Sequence, residues 1–221
     1  MNENPDSSVP PPSESLALSM EKLFRRDERG RGAYLSRLFA FFSEEVVRHW
    51  AACEQAPYRD IGRPVVWDEE SPRYHVLDFT LERRTDGLRF VSEMKCEIEF
   101  EGFRYLTLKG PEEIAHHVSG AAFQKFIRLA RHPGDLRVTV GGAEQEIVGA
   151  ILVWGVVTTA GRRAAMDHYG LAEVLSVEEM LRDLAEWQPA AWAEWIGTRR
   201  RWSDELFDWL AYRAAASTDP S

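Results

Sequence analysis

Asp78, Glu93 and Lys95 lie within "VLDFTLERRTDGLRFVSEMKCEIEF", residues 76–100. Two runs of strand-forming residues joined by Asp86-Gly87 predict a β-hairpin, with strands near 74–84 and from 88 to 100 or beyond. If Asp86 and Gly87 form the loop, Thr85 faces Leu88, Asp78 faces Lys95 and Thr80 faces Glu93. Strand side chains alternate, so Asp78, Glu93 and Lys95 share one face. Leu77, Phe79, Phe90 and Met94 then belong to the core on the other face.

Two carboxylates at about 4 Å repel by about 4 kcal/mol at an effective dielectric near 20. Positive charge must therefore sit among them. Lys95 alone is one answer, giving a cross-strand ion pair on a half-exposed sheet. A hard divalent cation is the other. It binds carboxylate oxygens, acidifies its bound water and neutralises charge on a phosphodiester under in-line attack, and Lys95 is placed to orient or deprotonate that water. Asp78 interrupts "HVLDFTL", where a strand accepts few residues less readily, and this favours the cation.

The elements around the hairpin must position these groups. Leu16 to Arg26 reads as a short helix, broken by "DERGRG", and a longer helix covers about 33–53. At about 100° per residue, Leu35, Phe39, Phe42, Val46, Trp50 and Cys53 form one stripe. Glu44 points away from that stripe, whereas Glu45 and His49 lie at its edge. "RPVVW" is a short strand. Pro111 with Glu112 and Glu113 starts a helix running to about Arg131. Strands flank Gly141-Gly142, and the second, 147–157, is apolar enough to be a central strand covered on both faces. A short helix ("GRRAAMDHYG"), a strand ("AEVLS") and a helix capped by Ser176 and Glu179 follow. Alternating strands and helices predict an α/β domain with a mixed sheet.

An Asp on one strand, Glu-x-Lys on the next, a Glu-bearing helix before them, and a helix and strand after them resemble the PD-(D/E)XK nuclease superfamily. "VLDFTL" carries the Asp, "VSEMKCE" the Glu-x-Lys and "FAFFSEEVVRHW" the helix, and the resemblance spans about residues 33–185. It implies a restriction-endonuclease-like fold and hydrolysis of nucleic acid, DNA before RNA, with Mg²⁺ or Mn²⁺. It further implies Asp78 and Glu93 as metal ligands, Lys95 placing the attacking water, and Glu45 as the helix glutamate that completes the site. Leu77 stands where the family often has Pro. Gln124 is similar to a helix glutamine of some branches, but Arg128 breaks their Gln-x-x-x-Tyr pattern.

The expected organisation is a disordered arm (1–15), a nuclease-like domain (16–187), a Trp-rich helical extension packed on it (188–215) and a disordered tail (216–221). Within the extension, Ser203 is an expected N-cap. Arg29 and Arg31, ahead of the Glu45 helix, are candidates for holding a phosphate backbone. Glu97, Glu99 and Glu101 continue the hairpin face as a solvated edge, with Glu97 alternatively a second metal ligand. His49, His116 and His117 read as structural histidines.

The 221 residues carry a formal charge of −9, to which Glu3, Asp6, Glu14 and Asp219 contribute four. Such a balance argues against coating nucleic acid through bulk charge. A specific or assisted substrate is expected instead, reached through a homodimer or a protein partner. Two cysteines, no signal-like start and no membrane-length apolar run predict a cytoplasmic protein with no membrane partner. The rival reading keeps the fold as a non-catalytic binding or assembly module. A second rival is an unrelated ligand-binding α/β protein, whose Asp78 and Glu93 would not share a face.

Overall fold

The computed structural model describes residues 31–68, 73–99 and 104–216. In order they form α1 (Arg31–Ala52), β1 (Tyr58–Asp60), β2 (Pro64–Trp67), β3 (His75–Val76), β4 (Phe79–Arg83), β5 (Arg89–Lys95), β6 (Ile98–Glu99), β7 (Arg104–Tyr105) and β8 (Thr107–Leu108). After two 3₁₀ turns, Pro111–Glu113 and Ala115–His117, come α2 (Ala121–Arg131), β9 (Arg137–Val140), β10 (Ala143–Gln145), β11 (Gly149–Trp154), β12 (Val156–Val157), α3 (Thr159–Tyr169), β13 (Glu173–Ser176), α4 (Val177–Trp187) and α5 (Ala190–Ala216). The arm 1–15, the helix expected over Leu16–Arg26 and most of the tail lie outside the described residues.

A mixed sheet runs β1-β4-β5-β11-β13, antiparallel through β5 and parallel from β5 to β13. A second, antiparallel sheet runs β10-β9-β2-β3. Every residue of β11 is buried, as its unbroken apolar run predicts for an inner strand. Period two divides its side chains between two cores. Ala150, Leu152 and Trp154 pack with α2 and α3, whereas Ile151 and Val153 pack with α1 and α4. Fully burying each such aliphatic contributes about 1.5–3 kcal/mol. Helices thus cover both faces of the sheet.

The β4–β5 hairpin is wider than the sequence predicts. Phe79 pairs with Ser92 and Thr80 with Val91, and Arg83 N–H donates to Leu88 O at 2.8 Å. Four residues, 84–87, therefore form the loop. A two-residue type I′ turn needs positive φ at both central residues. Gly87 has it, at +73°, but Asp86 does not. The Asp86 carboxylate instead accepts Leu88 N–H at 3.1 Å and grips Arg83 in a bidentate pair. Gly141 and Gly142, both at positive φ, do make the tight turn of the β9–β10 hairpin. The four-residue loop shifts the β4–β5 register by two residues from the sequence expectation, which exchanges partners without exchanging faces.

The long strand expected over 74–84 is broken. His75 and Val76 pair with β2 in the second sheet, and pairing with β5 begins at Phe79. The neighbouring strand crosses alongside: Ile61 N–H donates to Thr80 O, Thr80 N–H to Gly62 O and Leu77 N–H to Pro64 O. Ile61–Arg63 and Leu77–Asp78 are thus where this two-stranded ribbon passes from one sheet to the other. The bend turns Leu77 into the α2 core, while Phe79, Phe90 and Met94 face the α1 core.

Two helical expectations also change. The segment after Pro111 forms two 3₁₀ turns before α2 starts behind Gly120. Ser203 caps no helix, because α5 runs unbroken and the Ser203 hydroxyl donates back to Arg199 O at 2.9 Å. The first part of α5 packs on α1. Trp192 and Trp195 stack on each other 5.4 Å apart and cover Phe42 and His49. From Arg200 to Trp209 every residue of the helix is exposed, and the Arg199 guanidinium lies over the Trp202 ring.

Candidate functional site

The bend at Asp78 leaves a gap in the ladder, and the Asp78 side chain fills it. Phe79 is the first residue of β4 to pair with β5, so Met94 N–H faces the point where the chain has not yet joined the ladder. Asp78 Oδ2 accepts that N–H at 2.8 Å, while Asp78 N–H reaches Ser92 O at 3.2 Å. Continuing the register by one places Asp78 opposite Glu93 rather than Lys95.

Glu93 lies on the α2 side of β5 with its side chain 7% exposed, and Lys95 Nζ donates to its Oε1 at 2.5 Å. Asp78 and Lys95 remain open to solvent at 27% and 25%. The Lys95 ammonium also lies 5.8 Å from the centre of the Phe123 ring on α2. Burial raises the carboxyl pKa of both Asp78 and Glu93. For Asp78 the Met94 N–H and Lys95 oppose the rise, and Glu44 adds to it. For Glu93 the Asp78 charge adds to the rise, and Lys95 opposes it.

Glu44, not Glu45, is the helix carboxylate on this side. Arg63 Nη2 lies 2.8 Å from Glu44 and 4.0 Å from Asp78, while Arg48 holds Glu44 at 2.5 Å. Glu45 lies 3.7 Å from Arg48 Nε, and its charge acts on His49, where it opposes the lowering of the imidazole pKa by burial. The aromatic stripe misleads because part of it belongs to the α5 contact. The residues of α1 that are wholly buried include Ser43, Val46, Val47 and Ala51, an arc that puts Glu44 at its rim and Glu45 behind. Asp60, whose pKa burial also raises, adds a further carboxylate 3.8 Å from Arg48.

Gln124 is exposed on α2, one residue beyond Phe123. Arg31 begins α1, but its side chain, like all of Arg29, lies outside the described part. Several other arginines have structural work. Arg84 donates to Ala51 O and Cys53 O at the C-terminal end of α1, and Arg162 pairs with Glu179. Arg63 was not a sequence candidate. The only local signal for it is "IGRP", a Gly-Arg-Pro turn with Gly62 at φ +119°.

Beyond Lys95, Glu97 meets His116 and His117. His116 Nε2 is 2.6 Å from Glu97 Oε1, and the two imidazole rings are 3.9 Å apart. Burial, with His116 and Lys95 as positive neighbours, holds the His117 imidazole down at about 4 against the pull of Glu97. No helix among the described residues is long and apolar enough to cross a membrane. Comparison of the chain with family models, curated proteins and solved structures found no match.

Proposed function

We propose that this chain is a divalent-metal-dependent nuclease of restriction-endonuclease-like fold, cutting DNA at the Asp78–Glu93–Lys95 site. The observation that carries the reading is the convergence at one sheet bend: a buried Glu93, an Asp78 directly across the hairpin, and Lys95 at 2.5 Å from Glu93, open to solvent on one side. The surrounding order supports it, with a Glu-bearing helix, three antiparallel strands, a helix and a parallel strand.

The donor set fits a hard cation. Within the described residues, the carboxylates of Glu44, Asp60, Asp78 and Glu93 share the three cations Arg48, Arg63 and Lys95. Net negative charge therefore remains where two carboxylates resist ionising together. Asp78 and Glu93 would hold Mg²⁺ or Mn²⁺, which supplies charge neutralisation at a phosphodiester and a more acidic water. Lys95 is placed to hold that water and take part in moving its proton. Arg63 and Glu44 position Asp78. The modest basic surface suits a specific or partner-assisted substrate.

The test is cleavage of single-stranded, double-stranded and branched DNA and of RNA with Mg²⁺ or Mn²⁺, wild type against Lys95→Ala. Cutting that disappears in the variant and with chelator is the expected result. No cutting by the wild type, together with no Mn²⁺ binding by calorimetry, would replace the nuclease with the non-catalytic binding module.

A further inference from the structure

Glu97 follows Lys95 by two residues, where β5 has ended, so it stands on the edge of the candidate site without belonging to it. The 3₁₀ turn Ala115–His117 brings two histidines to the same carboxylate. Glu97 Oε1 is 2.6 Å from His116 Nε2 and 3.3 Å from His117 Nε2, and one ligand atom from each of the three residues falls within 4.8 Å of the others.

Ordinary hydrogen bonding does not account for this arrangement. One carboxylate oxygen is approached by two imidazole nitrogens, and the His117 contact is too poorly aligned to be a hydrogen bond. His117 Nε2 is buried and has no hydrogen-bond partner. A buried polar atom without a partner carries a real cost, and in native proteins it is uncommon enough to require an explanation. Its position is held firmly. The ring lies against Phe123 and Trp154, and the turn is braced by His117 N–H to Ile114 O, Val118 N–H to Ala115 O and Gly120 N–H to His117 O. The nitrogen is thus fixed toward Glu97 before any ligand arrives.

We infer that Glu97, His116 and His117 form a second metal site, one for a divalent transition metal of the Zn²⁺ class. Two imidazole nitrogens and one carboxylate oxygen, with a position left for water, are a donor set for Zn²⁺ or Co²⁺ and a poor one for Mg²⁺. Tetrahedral ligands at about 2 Å from a metal stand about 3.3 Å apart, so the Glu97–His117 separation of 3.3 Å already fits and the 2.6 Å Glu97–His116 contact has to open slightly. A bound ion ties the 111–120 segment to the end of β5 and places positive charge beside Lys95. The site stands apart from the Asp78–Glu93 pair, and its existence does not depend on nuclease activity.

Cobalt substitution tests this, since Co²⁺ bound by imidazole gives visible absorption bands. Co²⁺ alone is titrated into wild type, His117→Ala, Glu97→Gln and Asp78→Asn, each first stripped with chelator. Wild type and Asp78→Asn are expected to bind one Co²⁺ with visible bands, displaced by Zn²⁺ and not by a large excess of Mg²⁺. His117→Ala and Glu97→Gln are expected to lose at least tenfold in affinity. Glu97→Gln keeps the side-chain shape and decides the matter if His117→Ala does not fold. Bands that survive both ligand variants, or no bands in the wild type, overturn the site. Bands lost only in Asp78→Asn overturn it too, while leaving the proposed nuclease site standing.

Discussion

The carboxylate of Asp78 accepts the backbone N–H of Met94 at 2.8 Å, standing in for a strand that has left the sheet. Asp78 therefore has a structural job as well as the proposed chemical one, and the two are separable. Asp78→Ala leaves the Met94 N–H unpaired and is expected to cost about 1–3 kcal/mol in urea unfolding. Asp78→Asn keeps an acceptor there and should cost clearly less while abolishing Mn²⁺-dependent cleavage. Equal losses of stability for both variants would mean that the hydrogen bond contributes little.

Burial raises the pKa of Asp78 and Glu93 in the folded chain, and a neighbouring carboxylate adds to each rise, Glu44 for Asp78 and Asp78 for Glu93. The folded state then binds protons more tightly than the unfolded one. This pair's contribution to stability declines as pH rises from the ordinary carboxylate range through the raised one, and remains at that deficit above it. Melting temperatures from pH 4 to 8 should therefore shift in favour of Asp78→Asn relative to wild type as pH rises. Mn²⁺ should raise the wild-type melting temperature near pH 8 and do so less near pH 5, where protons compete for the carboxylates. A wild-type-to-variant gap that is constant with pH would contradict this.

Trp192 and Trp195 pack on Phe42 and His49, whereas Trp202, Leu206, Phe207 and Trp209 are more than half exposed. Truncation after Ser203 should leave the denaturation midpoint nearly unchanged. Truncation after Gln188 uncovers the α1 aromatic face and should lower stability by about 2 kcal/mol or more. Similar losses from the two truncations would show that the distal half of α5 is also docked.

Two glycines of helices should respond in opposite senses. A Cβ at Gly161, in the first turn of α3, would lie 2.2 Å from Leu108 O, a backbone atom that cannot swing aside. Gly161→Ala should destabilise by about 1–3 kcal/mol or more. Gly197 lies within α5 with nothing within 4 Å of such a Cβ. Gly197→Ala should leave folding intact or stabilise it by roughly 0.5–1 kcal/mol. Thermal unfolding of both variants reads this directly.

Local patterns in the sequence carried much of the architecture. The apolar run of β11 predicts an inner strand, Gly141-Gly142 makes the turn expected of it, and Ser176 accepts from Glu179 N–H as an N-cap, although the Glu179 side chain pairs with Arg162 rather than completing a capping box. Alternation alone also put Glu93 and Lys95 on one face. The wider loop leaves this intact, because a register shift of two residues changes partners and not faces. Asp86-Gly87 departs from the two-residue turn because the Asp86 side chain bonds to Arg83 and Leu88 N–H, a preference that the dipeptide itself does not display.

Other features depend on more than one element at a time. Glu44 faces the cluster and Glu45 does not because α1 is covered by the sheet on one side and by α5 on another, and the helical wheel merged both into one stripe. Arg63 reaches Asp78 because two chain segments cross between sheets at the same place. Glu97 meets His116 and His117 because a 3₁₀ turn replaces the expected helix start. Short-range periodicity determined which side chains are inward along each element. Only tertiary packing decided which element each of them meets, since contact across dozens of residues is set by the joint burial of several faces and leaves no period in the chain.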